Sequence, residues 1–160
     1  MHANQTVQSE IIKGSIITGV FNAVINGIIN WFSYEGGEKV LMSSDMISSN
    51  EHTVLSGAVP LAVSLAFLLT SITYFTSKIP GKPSYFPVVF KMALKHSIFA
   101  FGLMVIFAVL FQRFAGSVYV SPPVASVITG IIAGIVGGIV NYMTISELCN
   151  HSKRAEISTD

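Results

Sequence analysis

Four stretches of this chain are long enough, apolar enough and free enough of charge to cross a lipid bilayer, and nothing else in the sequence constrains the fold as strongly. A hydrocarbon core of ~30 Å takes about 20 consecutive apolar residues in a helix. The stretches cover residues 14–33, 54–76, 90–112 and 123–146. The third begins near Phe86 or Phe90, and Lys91 and Lys95 lie close to its start. Long lysine stems can stay in hydrocarbon while their heads reach the lipid headgroups. A buried charge nearer a helix centre would cost ~2.5 to 3.5 kcal/mol on insertion scales.

Composition agrees. Hydrophobic residues make up 51% of the 160 and charged residues 11%, whereas ordinary soluble domains carry about 25% charged residues. The expected fold is therefore all-α: a four-transmembrane-helix bundle, with residues 1–150 as a single transmembrane domain and residues 151–160 as a polar tail. The first span is longer than the apolar core of a secretory signal, contains Asn22, Asn26 and Asn30, and precedes no small-residue cleavage site. It is expected to stay as a helix.

Lysine and arginine set the orientation. Lys13, Lys78, Lys82, Lys91, Lys95, Lys153 and Arg154 fall on one side, and Lys39 and Arg113 on the other. Seven against two predicts that both termini are cytoplasmic. The opposite side carries Glu35, Glu38, Asp45 and Glu51. Residues 35–53 are expected to be the one sizeable outer loop, with Ser48, Ser49 or Asn50 capping the second helix. Pro60, two turns into that helix, is expected to kink it and to turn the freed Ser56 carbonyl toward protein or water. The Ile79-Pro80-Gly81-Lys82-Pro83 stretch reads as a turn on the cytoplasmic side.

Two polar or small-residue stripes are the candidate functional features. Asn22, Asn26 and Asn30 recur every four residues and share one helix face. Amides in hydrocarbon need partners, so this face, with Asn141 of the fourth span, is either helix–helix glue or a polar path for a small solute. Ser126, Gly130, Gly134 and Gly138 also recur every four residues, a spacing that lets two helices approach closely. The stripe reads as packing, or as a sliding surface in a moving transporter. The Asn amides are expected to reach backbone carbonyls or Ser126 across a direct contact between the first and fourth helices.

Those two helices also align with each other without gaps. Between residues 15–34 and 126–145 seven of twenty positions match, among them Ser15/Ser126, Thr18/Thr129, Gly19/Gly130, Gly27/Gly138 and Asn30/Asn141. Helices running in opposite directions could be related as an inverted repeat, or could match by chance through shared Gly and Ile.

Other chemistry is sparse. The net charge of +1 lacks the basic footprint of a nucleic-acid binder, so no nucleic-acid partner is expected. The single cysteine, Cys149, permits neither an intrachain disulfide nor a CxxC site, and reads as a small apolar filler. His52 is expected outside. His96 and His151 are expected to be solvated at the cytoplasmic edge, and are the only same-side histidine pair between helix ends. No HxxxH or HExxH spacing exists, so no metal and no cofactor are expected. No carboxylate lies inside a span, and no GxSxG elbow appears. No catalytic residue follows, and a proton relay through buried carboxylates is not expected.

Several segments carry a resemblance. They are Glu51-His52-Thr53-Val54-Leu55, Ala58-Val59-Pro60-Leu61-Ala62-Val63-Ser64-Leu65-Ala66, Lys95-His96-Ser97-Ile98-Phe99-Ala100-Phe101-Gly102 and the Gly-rich fourth span. With them the chain resembles small bacterial four-helix membrane proteins labelled permease. The resemblance extends over nearly the whole chain. It implies a multi-pass protein of the bacterial inner membrane, and it carries no mechanism and no site residues. The expected function is permease-like: a homo-oligomer in the lipid bilayer that binds or passes a small solute. The alternative is a non-transporting scaffold or accessory subunit.

Overall fold

The computed structural model describes residues 2–34, 37–44 and 51–157, with side chains from residue 7 to residue 154. Four helices dominate: α1 (His2–Tyr34), α2 (Val54–Thr76), α3 (Phe90–Ala115) and α4 (Pro122–Ile157). A five-residue π-helical turn, Tyr85–Val89, leads into α3. All four helices are long and apolar enough to cross a membrane, so the protein is an integral, multi-pass membrane protein of all-α architecture. Residues 151–157 of the expected tail continue α4 as helix.

The helix ends follow from local chemistry. Thr53 and Ser56 form a reciprocal cap at the start of α2: each backbone N–H donates to the other's hydroxyl, at 3.0 and 2.9 Å. This satisfies two orphan donors. The expected caps Ser48, Ser49 and Asn50 lie outside the described residues. At its other end α2 stops at Ser77, which is extended. There Lys82 Nζ donates to the Tyr74 and Ser77 carbonyls at 2.9 and 3.0 Å, placing a cation on the negative end of the helix. Gly116, at φ +69°, ends α3. Two prolines open α4, where a missing N–H costs nothing.

The helices do not contact one another evenly. α1 lies chiefly along α4, α4 also packs on α2, and α2 packs on α3, while α3 touches α4 only slightly. Alanine makes the α2–α3 seam close. Ala58, Ala62 and Ala66 meet Ala100, Met104 and Ala108 in one buried cluster with Ile132, Val136 and Val140 of α4. Without a hydrophobic drive between helices in lipid, such small residues favour association through close contact. Ile17, Phe21, Ile98, Ile106 and Val127 point outward and are more than half exposed, as a lipid-facing surface requires. Pro60 is also on that exposed side.

At the end away from the termini, the sequence reading missed a piece of sheet. β1 (Val40–Ser43) pairs antiparallel with β2 (Val118–Val120), Val40 opposite Val120 and Leu41 opposite Tyr119. The ribbon ties the α1–α2 connection to the α3–α4 connection. It also seats Met42, 2% exposed, on the core. Three- and four-residue strands are too short to show a period of two against their apolar neighbours.

Candidate functional site

The Gly stripe lies where α1 and α4 cross. A Cβ on Gly19 would stand 2.8 Å from the Gly134 carbonyl oxygen, and one on Gly130 would stand 2.7 Å from the Ala23 carbonyl oxygen. Gly138 faces the Ser15 carbonyl and Gly27 the Ser126 carbonyl, at 3.3 and 3.7 Å on the same measure. These contacts come in pairs. Exchanging Ser15 with Ser126, Gly19 with Gly130, Ala23 with Gly134 and Gly27 with Gly138 turns each contact into its partner. The local two-fold relation of the two helices therefore has the same register as their sequence alignment. It extends to the serines: Ser15 donates to the Ile11 carbonyl at 2.8 Å and Ser126 to the Pro122 carbonyl at 2.9 Å.

The Asn stripe does not behave as expected. Asn22 donates to the Thr18 carbonyl, Asn26 to that of Asn22 and Asn30 to that of Asn26, at 2.8, 3.0 and 2.8 Å. Each amide N–H closes on its own helix, one turn back, and none goes to a carbonyl of α4 or to Ser126. A short polar side chain in a helix reaches the i−4 carbonyl without crossing any gap. Asn22 packs its side chain flat on Gly137, where a Cβ would come within 3.1 Å of the amide nitrogen. Two open grooves of ≈ 580 and ≈ 530 Å³ run beside the α1–α4 seam. Their walls are apolar, and Asn22, Asn26, Asn30 and Asn141 line neither.

Asn141 departs from the two-fold relation. Its amide donates to Ser15 Oγ of α1 at 3.2 Å, and its carbonyl oxygen accepts from Thr73 of α2 at 2.9 Å. Its counterpart Asn30 makes no such bridge. One turn from Asn141 lies the polar centre that sequence reasoning missed. His96 of α3, expected to be solvated, is 0% exposed, as are Thr70 of α2 and Thr144 of α4. His96 Nδ1 is 2.9 Å from Thr70 Oγ1 and 3.4 Å from Thr144 Oγ1. Four helices thus meet in one polar layer near the lysine-rich end: Ser15, Asn141 and Thr73 on one side, Thr70, His96 and Thr144 on the other. The signal was present in the sequence. His96 is on the same face as Ala93, Ala100, Met104 and Ala108, all buried, whereas Lys95 and Ile98 are on the opposite, exposed one.

The hydroxyls of Thr70 and Thr144 also lie 2.8 Å from the Ala66 and Val140 carbonyls and 3.4 Å from each other. A hydroxyl has one proton to give and rotates to place it: Nδ1 donates where those protons stay on the carbonyls, and accepts where one of them turns to the ring. His96 Nε2 has no hydrogen-bond partner among the described residues. Its polar neighbour is Glu147 Oε1 of α4 at 3.5 Å. Glu147, 29% exposed, is also held by Lys95 of α3. The spans' interior thus holds no carboxylate, but one reaches in from the edge to the buried ring.

His151, the other member of the expected pair, is exposed on α4. No group of three His, Cys, Asp or Glu side chains able to hold a metal ion occurs among the described residues. Cys149 is half-buried near the end of α4. Comparison of the chain with family models, with curated proteins and with solved structures finds no match.

Proposed function

We propose that this is a permease-like protein of the bacterial inner membrane that binds or passes a small solute, non-enzymatically and as a homo-oligomer, with the His96 layer as its solute-handling site. One observation carries this. An ionisable side chain is buried inside a membrane span with no hydrogen-bond partner at Nε2, at the junction of three helices and beside the Glu147 carboxylate. Ionisable groups inside membranes are costly and, where present, mark pathways or relays. The sequence resemblance to permease-labelled proteins points the same way. Homo-oligomerisation is supported by the helix arrangement: α1 lies chiefly against α4, so these helices offer no closed ring around a path, and a second copy would complete one.

The scaffold alternative also has an observation in its favour. The Asn amides are satisfied within α1, and the two grooves beside the α1–α4 seam have apolar walls. Uptake of a panel of small polar solutes into proteoliposomes separates the two. Flux that depends on the protein and is lost in a folded His96→Gln variant supports the permease-like function. Absence of flux for every solute, with the protein intact and oligomeric, supports the scaffold.

A further inference from the structure

The geometry points to a proton-binding site between His96 Nε2 and Glu147 Oε1, loaded from the lysine-rich side, that ties α3 to α4 when occupied. This deepens the permease-like function by naming the ion its site takes. His96 Nε2 and Glu147 Oε1 face each other at 3.5 Å, and Nε2 has no hydrogen-bond partner among the described residues. With the threonine protons on the Ala66 and Val140 carbonyls, Nδ1 carries the ring N–H and the Nε2 lone pair is aimed at an anionic oxygen. A lone pair against a carboxylate is repulsive; a proton between them turns the contact into a charge-assisted hydrogen bond, which closes to about 2.7–2.9 Å. The proton comes from hydronium, whose O–H bond breaks to leave water, and it binds the Nε2 lone pair. The ring becomes imidazolium, and its charge is offset by the Glu147 carboxylate.

The surroundings suit this one ligand. α2 presents the neutral Thr70 to the ring, α4 presents Thr144 and Glu147, and α3 itself places Lys95 on the same carboxylate; His151 and Arg154 of α4 line a cavity with Glu147 on its outer side. Glu147 therefore divides between a permanent cation at the surface and a switchable one inside. Water reaches the carboxylate directly, because its side chain is partly exposed, while that of His96 is not. α3 and α4 otherwise touch little, so a new bond here acts on a loosely joined pair of helices.

Nitrogen NMR of histidine-labelled protein in nanodiscs reads the site directly, with His96 identified by its loss in His96→Gln. At high pH the expected state is a protonated Nδ1 and a bare Nε2; as the pH falls, Nε2 takes up a proton. Glu147→Gln is expected to weaken that uptake about ten-fold or more, as loss of an adjacent opposite charge does. Lys95→Gln, at an exposed position, is expected to strengthen it. A bare Nδ1 with a protonated Nε2 at high pH would overturn the proposal, as would titration that neither variant moves. Proton uptake that follows these rules in a protein that passes no solute supports the site and overturns the permease-like function alone.

Discussion

Gly19 and Gly134 meet so closely that a single methyl group on Gly19 would come within 2.8 Å of the Gly134 carbonyl oxygen. The obstruction is backbone, which cannot swing aside as a flexible side chain can. Gly19→Ala is therefore expected to destabilise the protein by ~1 to 3 kcal/mol, the usual cost of overpacking, and Gly134→Leu by more. Gly14 meets nothing within 4 Å, so Gly14→Ala should be neutral or stabilise by up to ~1 kcal/mol through helix propensity. Unfolding in mixed micelles checks this. Equal effects at Gly14 and Gly19 would mean that α1 and α4 do not cross there.

Asn141 should matter more than any member of the Asn stripe. Its amide joins α1 to α2 through Ser15 and Thr73, whereas Asn26 serves only its own helix. Interhelical bonds in membranes average about 0.6 kcal/mol and reach ~2. Asn141→Leu is expected to cost ~1 to 2 kcal/mol in the same unfolding measurement and Asn26→Leu distinctly less. The reverse order would show that the stripe, and not the bridge, joins the helices.

The four helices were legible because a run of apolar residues free of charge has few other uses, and the α1–α4 contact because Gly at every fourth position exposes backbone. Hydrogen-bond partners were not legible. Asn22, Asn26 and Asn30 could reach outward or back along their own helix, and spacing alone does not distinguish the two. His96 was misread for a similar reason. Lys91 and Lys95 nearby suggested an interfacial ring, although the histidine is a turn from Ala93 and Ala100 on the buried face. The direction in which it faces was inferred wrongly.

Thr70 is the nearer hydrogen-bond partner of the buried His96 ring, and its loss should be felt. Thr70→Val removes the 2.9 Å partner and leaves only Thr144, at 3.4 Å, for the buried Nδ1. Leaving a buried polar atom poorly satisfied costs about 1–3 kcal/mol. Thr70→Ser keeps the oxygen and should recover most of that stability. If valine and serine are equally harmful in thermal unfolding, packing of the methyl group, and not the hydrogen bond, is what Thr70 provides.

The lysine and arginine bias makes orientation testable. Single cysteines placed at Pro80 and at Glu38, both exposed, in a Cys149→Ser background, should label from opposite sides of the membrane. Pro80 is expected to be protected from an impermeant thiol reagent added outside intact cells, and Glu38 to be modified. Modification of the Pro80 position from outside would reverse the orientation and place the His96 layer at the external face.

The approach of His96 to Glu147 brings a buried ring on α3 and a carboxylate on α4 to 3.5 Å. Solid-state NMR in lipid bilayers, with nitrogen label in histidine and carboxyl-carbon label in glutamate, measures that approach without any assay of function. A clear dipolar coupling between Nε2 and a glutamate carboxyl, lost in both His96→Gln and Glu147→Gln, is the expected result. A His96 ring that shows no coupling to any carboxyl and exchanges freely with water would contradict it.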